Sequence, residues 1–138
     1  MEMAKFAKDY LKRAEERVRA AEDALRRSSF PEVIRFSQEA TELSLKAALR
    51  MNGIEYPKVH DVGDVLVINR RRFPKWFEEK VDWMAKFSAE MAERRSLALY
   101  GVEASGKSPG EIFNDPAEAK EALGGARLVL RLCSRRLP

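Results

Sequence analysis

The stretch Ser29-Phe-Pro-Glu-Val-Ile-Arg-Phe-Ser-Gln-Glu-Ala-Thr-Glu-Leu-Ser-Leu-Lys-Ala-Ala-Leu-Arg-Met-Asn-Gly-Ile-Glu-Tyr-Pro-Lys-Val-His60 decides the fold. It opens with a capping-box pattern, Ser29 followed three residues on by Glu32, with Pro31 in the first turn, where a missing N–H costs nothing. It closes at Asn52-Gly53, where glycine can take the left-handed conformation that ends a helix. Between these signals Val33, Phe36, Ser37, Ala40, Leu43, Ser44, Ala47, Ala48 and Met51 recur at helical spacing. Ile34, Leu45 and Leu49 widen the stripe beyond the needs of a half-exposed helix, so this helix is expected to lie between others. Gln38, Glu42 and Lys46 then read as a solvent-lapped seam, with Glu42 and Lys46 an i,i+4 pair in the favourable order.

Composition bounds what such a chain can do. Its 138 residues suit a single domain, residues 1–138, able to bury a core without staples. One cysteine, Cys133, excludes an internal disulfide and a thiolate cluster, and one histidine, His60, excludes any site needing two imidazoles. No metal or other cofactor is expected. The longest uninterrupted apolar run, Val65 to Ile68, falls far short of the ~20 residues that span a bilayer. The N-terminus mixes Glu2, Lys5, Lys8 and Asp9 with apolar residues and lacks a signal-peptide core, so a soluble, cytoplasmic protein is expected. Charged residues make up 35% of the chain while Gln and Thr occur once each, a profile typical of thermophiles. A net charge of +4 permits nucleic-acid binding without requiring it.

Outward from the central helix the chain stays helical. Phe6, Tyr10, Leu11, Ala14, Val18, Ala21 and Leu25 mark a long amphipathic helix over residues 3–27, expected to pack antiparallel to the central one. Asp61 to Arg72 resembles a strand at Val65-Leu66-Val67-Ile68, but Val62, Val65, Leu66 and Asn69 keep helical spacing behind an Asp61 cap. Pro74 opens a fourth helix reaching about Leu99, with Phe77, Val81, Met84, Ser88, Met91, Arg95 and Ala98 on its core face. Trp76, Trp83 and Phe87 form a second apolar strip beside that face, expected to be covered by a second subunit. Asp115-Pro-Ala-Glu118 starts the last helix, with Ala119, Ala122, Leu123, Ala126, Val129, Leu130, Cys133 and Leu137 facing inward. Gly124-Gly125 within it costs helix stability, which points to a close helix crossing. The expectation is an all-α, up-and-down antiparallel bundle of about five helices.

Several residues suggest chemistry. Gly101-Val-Glu-Ala-Ser-Gly106-Lys107-Ser108 satisfies the phosphate-loop pattern letter for letter. Its mechanism needs a buried strand before the loop and a helix directly after it, yet a long helix precedes it and Pro109-Gly110 follows, so the match is read as coincidence. Arg95 sits on an apolar helix face, where a guanidinium must be paired or must line a cleft. Pairing to Glu39 or Glu42 would support a scaffold, and an open positive cleft would support ligand binding. His60 reads as a tether from its loop to the central helix, and Cys133 as a small core hydrophobe.

Gln38, Glu42, Leu45-Lys46-Ala47, Leu49, Gly53, Pro57 and His60-Asp61 together resemble the signature of HEPN domains, small all-α proteins that include toxins and RNA-cleaving modules. The order of elements agrees along nearly the whole chain. Active HEPN nucleases carry an arginine and then, within two turns, a histidine near the end of the fourth helix; here Arg95 is followed by Tyr100. The resemblance implies Arg95 and Tyr100 as the catalytic positions, though a tyrosine with a pKa near 10 is a poor base at neutral pH. It implies Arg94, Arg95, Tyr100, His60 and Lys46 as ligand-binding residues in a cleft at a homodimer interface, taking RNA or a nucleotide. A nucleotidyltransferase is the implied partner of such a toxin-like protein. The alternatives are a catalytically inactive dimeric scaffold or interaction module, and an active metal-independent endoribonuclease.

Overall fold

Residues Phe30–Met51 form the helix α2, and not one of its 22 residues is fully exposed. That circumference is covered by helices on three sides in the structure, a computed structural model describing residues 2–136. α1 (Glu2–Arg26) precedes α2; α3 (Gly63–Ile68), α4 (Lys75–Glu78), α5 (Val81–Tyr100), α6 (Pro109–Ile112) and α7 (Pro116–Arg136) follow. The long helices α1, α2, α5 and α7 make an all-α bundle in which α2 packs on the other three, while α5 and α7 barely meet. Leu137, expected on the inner face of the last helix, lies outside the described residues. No helix among the described residues is long and apolar enough to cross a membrane.

The core follows from α2. Leu45 and Leu49 pack with Leu66, Phe77, Met84 and Val129; Val33 and Ala40 pack with Val18, Ala21, Leu123 and Ala126; Ile34 packs with Met91, Ala98, Phe113 and Ala122. Each large side chain so buried contributes about 1.5–3 kcal/mol of transfer free energy. The face expected for the fourth helix is borne out, with Phe77, Val81, Met84, Ser88, Met91 and Ala98 all buried. That helix is nevertheless two, because the chain turns at Glu79–Lys80 between α4 and α5. The apolar spacing Phe73, Phe77, Val81, Met84 runs unbroken across the turn, so periodicity carries no trace of it.

Helix ends show both agreement and departure. Gly53 has φ +66°, as a left-handed helix end requires. Asp115 Oδ1 accepts the Ala117 N–H at 2.9 Å, and Asp61 Oδ1 accepts the Gly63 N–H at 2.9 Å and the Ser88 hydroxyl at 2.7 Å, tying the start of α3 to α5. The capping box at Ser29 does not form: Ser29 has ψ 72°, short of the extended conformation a capping side chain needs, and Glu32 turns to Arg35 at 3.2 Å. Phe6 also departs from its expected core position. It is half exposed, with the Arg50 guanidinium 5.2 Å from its ring.

Candidate functional site

Glu42 is the hub toward which the polar residues of α2 converge. Gln38 and Lys46 lie one turn before and one turn after it, so all three share a face. Gln38 Nε2 donates to Glu42 Oε1 at 3.0 Å, Lys46 Nζ donates to Oε2 at 2.8 Å, and His60 Nδ1 donates to Oε1 at 2.8 Å. Burial pushes the Glu42 carboxyl up, but the hydrogen bonds from Lys46, Gln38 and His60 together outweigh it and hold the group below the usual carboxylate range. The seam is not solvent-lapped, since Gln38 is 2% exposed. His60 tethers its loop to α2, as the sequence suggested. With Nδ1–H given to a carboxylate, the other ring nitrogen of neutral His60 is left as an acceptor.

One turn back, Glu39 collects arginines from three helices. Arg17 Nε of α1 donates at 2.8 Å, Arg35 Nε of α2 at 3.3 Å, and Arg95 Nη2 of α5 at 3.5 Å. The Arg95 contact is at the limit of a hydrogen bond, and its buried Nε finds no acceptor among the described residues. These groups, with Arg13, Glu42, Leu43 and His60, line a cleft of about 240 Å³ between α1, α2 and α5. Four guanidiniums thus face two carboxylates, one of which is already held by Lys46 and His60. The guanidiniums outnumber the carboxylates, and guanidinium geometry is one that can match the oxygens of a phosphate. Arg95 is therefore paired and cleft-lining at once, rather than one or the other.

Of the residues named from sequence, the cleft brings together Arg95 and His60, with Lys46 behind Glu42. Arg94 and Tyr100 do not line it. Arg94 faces α7, 4.0 Å from Glu118, and Tyr100 is 72% exposed at the end of α5. Helix geometry is the reason: successive residues are separated by roughly 100°, so neither the one before Arg95 nor the one five beyond shares its direction. Arg13, Arg17 and Arg35 were missed because charges on α1 and α2 read as solvated faces. The i,i+4 spacing of Arg13 and Arg17, which flank the buried face carrying Ala14 and Val18, was the available signal.

The phosphate-loop look-alike is a small hairpin. Val102 N–H donates to the Lys107 carbonyl at 2.8 Å and Lys107 N–H to that of Val102 at 3.1 Å, so two amides that would cradle a phosphate are already used. Gly101, at φ +66°, could not carry a side chain there, since a Cβ would come within 2.3 Å of the Lys107 oxygen. No three His, Cys, Asp or Glu side chains among the described residues cluster in a way that could hold a metal. Cys133 is fully buried, and burial pushes its thiol up, away from a reactive thiolate.

Comparison with known proteins agrees with this architecture. The HEPN domain model matches residues 7–137. The Methanocaldococcus jannaschii protein named "Putative toxin MJ1304" is 31% identical over 139 residues, covering 93% of this chain and 86% of that relative. No solved structure matches. With the family model spanning residues 7–137 and that relative covering 93% of the chain, the chain belongs to the HEPN domain family.

Proposed function

We propose that the chain is a toxin-like HEPN protein of the cytoplasm that binds RNA or a nucleotide through its phosphates. The site is the cleft between α1, α2 and α5. The observation that carries this reading is the convergence of Arg17, Arg35 and Arg95 on the single carboxylate of Glu39, with Arg13 on the same cleft. The toxin name of the Methanocaldococcus relative supports the toxin-like half of the reading, and a nucleotidyltransferase is the proposed antitoxin-side partner. A homodimer, joined through the exposed face of α5, is the proposed assembly.

A second reading, metal-independent RNA cleavage, is favoured by one specific contact. Glu42 fixes the Nδ1 edge of His60, which leaves Nε2 free to take a proton on the same cleft as Arg95. The 2′-hydroxyl proton would pass to Nε2 as the oxygen attacks phosphorus, and the 5′-oxygen would leave with a proton from water, giving a 2′,3′-cyclic phosphate. Tyr100 has no part in this version. Titration of a short fluorescent RNA without metal, against the wild type and Arg95→Ala, tests both readings. Salt-sensitive binding that Arg95→Ala weakens at least tenfold is expected. Binding without strand scission would leave the first reading standing and remove the second; no binding at low salt would remove both.

A further inference from the structure

Arg50 is held differently from the arginines of the cleft. Arg17, Arg35 and Arg95 each pair with an acidic side chain, whereas no carboxylate pairs with Arg50 among the described residues. Three aromatic rings surround it instead. Its guanidinium carbon lies 5.2 Å from the ring centre of Phe6, 5.1 Å from that of Tyr10 and 5.7 Å from that of Tyr56, and Nε donates to the Tyr56 hydroxyl at 2.8 Å. The ring faces and the C-terminal end of α2, in whose last turn Arg50 lies, stabilise the charge without neutralising it. A guanidinium carries five N–H donors, more than the phenol oxygens of Tyr56 and Tyr10 can engage. Arg50 borders a pocket of about 400 Å³, where it and Lys58 stand against the single carboxylate of Glu55, and Met3 and Ile54 supply apolar wall.

This second pocket is joined to the cleft through Tyr10. Arg13 lines the cleft, and its guanidinium lies 5.6 Å from the centre of the same ring that Arg50 approaches to 5.1 Å. Sequence spacing extends the connection: Phe6, Tyr10, Arg13 and Arg17 follow one another at helical intervals, so one stripe of α1 leads from the cleft to the pocket. Phe6, at the far end, is 50% exposed and leaves apolar ring surface open. We propose that a single RNA strand seated in the cleft continues along this stripe, placing a further phosphate on Arg50 and Lys58 and stacking a base on Phe6. The inference rests on the phosphate-binding reading of the cleft and narrows it to a polynucleotide, the ligand that repeats phosphate and base along a line. Cations interleaved with aromatic rings are how single-strand binders hold backbone and bases together. Tyr10 and Tyr56 orient Arg50 and take no base, because Arg13, Arg50 and Lys46 already stand over their rings.

Fluorescence-anisotropy titration of the full chain with oligouridylates of three and nine residues tests the track. The trimer is held by the cleft alone, and the nonamer reaches Arg50 and Phe6. Phe6→Leu keeps apolar bulk at a half-exposed position but removes the ring, and is expected to weaken the nonamer by at least about fivefold while leaving the trimer unchanged. Arg50→Met is expected to show the same selectivity and to lower the nonamer's slope of log affinity against log salt by about 0.7. Arg95→Ala, in the cleft, is expected to weaken both lengths. Nonamer binding untouched by Phe6→Leu and Arg50→Met, with Arg95→Ala still weakening both lengths, would overturn the track and leave the cleft assignment intact. Equal losses for trimer and nonamer in both α1 and α2 variants would also overturn it, as damage to the fold rather than loss of a contact. An acidic peptide bound through Arg50 more tightly than the nonamer would overturn RNA as the occupant. A wild type that binds neither length would instead overturn the cleft assignment itself.

Discussion

Glu42 accepts hydrogen bonds from three side chains contributed by α2 and the loop after it, yet keeps 18% of its side chain exposed. Glu42→Gln would keep the shape and lose the charge, leaving Lys46 without its counter-ion. A loss of about 1–3 kcal/mol in stability is expected, measured by urea unfolding near neutral pH. Its pH dependence has a definite sign. A carboxyl held below its ordinary range in the folded chain stabilises it above that range, and the contribution is lost as the pH falls through the lowered folded value. The wild type should therefore lose its advantage over Glu42→Gln below about pH 4, and curves that stay parallel through that region would contradict the hub. Sequence made part of this legible. Glu42–Lys46 and a structural tether for His60 follow from spacing and position, and Glu39 was one of two partners available to Arg95. That His60 meets Glu42, 18 residues away, depends on how the Ile54–Asp61 segment folds back, which no local pattern encodes.

At the scale of elements, α7 carries two adjacent glycines that the structure separates. A Cβ on Gly125 would lie 2.4 Å from the Phe87 ring, so α5 reaches α7 through that ring and any larger residue would have to push it aside. A Cβ on Gly124 would meet nothing within 4 Å. Gly124→Ala is expected to raise stability by up to about 1 kcal/mol through helix propensity alone. Gly125→Ala is expected to lower it by about 1–3 kcal/mol through overpacking. Thermal unfolding of the two variants side by side checks the contrast, and equal shifts would contradict the crossing. The sequence indicated a close crossing at this pair but could not say which glycine made it, because the answer lies in a ring on another helix. The same holds for the turn between α4 and α5, which the continuous apolar spacing conceals, and for the Ser29 capping box, whose residues are present without the backbone conformation to use them.

For the whole molecule, the central position of α2 was legible because a helix apolar on most of its surface has no other stable place. How α1, α2 and α5 bring their arginines to one point was not, since interhelical angles are set by side-chain packing on faces that the sequence describes one at a time. A second whole-molecule feature is the groove of about 540 Å³ between α5 and α7, where Trp83 stacks on Phe87 with 5.2 Å between ring centroids and is 41% exposed. If the proposed homodimer uses this face, Trp83→Lys should convert a dimer to a monomer in sedimentation velocity while leaving the helical circular-dichroism signal unchanged. A wild type that sediments as a monomer at tens of micromolar would remove the dimer.

The salt dependence of binding to a short single-stranded RNA, measured for the wild type, Arg95→Ala and Arg94→Ala, addresses the cleft most directly. Each phosphate contact contributes about 0.7 to the slope of log affinity against log salt. Arg95 lines the cleft and Arg94, its neighbour in sequence, faces α7. The slope is therefore expected to fall by about one contact in Arg95→Ala and to stay at the wild-type value in Arg94→Ala. Equal losses in the two variants, or a slope untouched by Arg95→Ala, would contradict phosphate binding in the cleft between α1, α2 and α5.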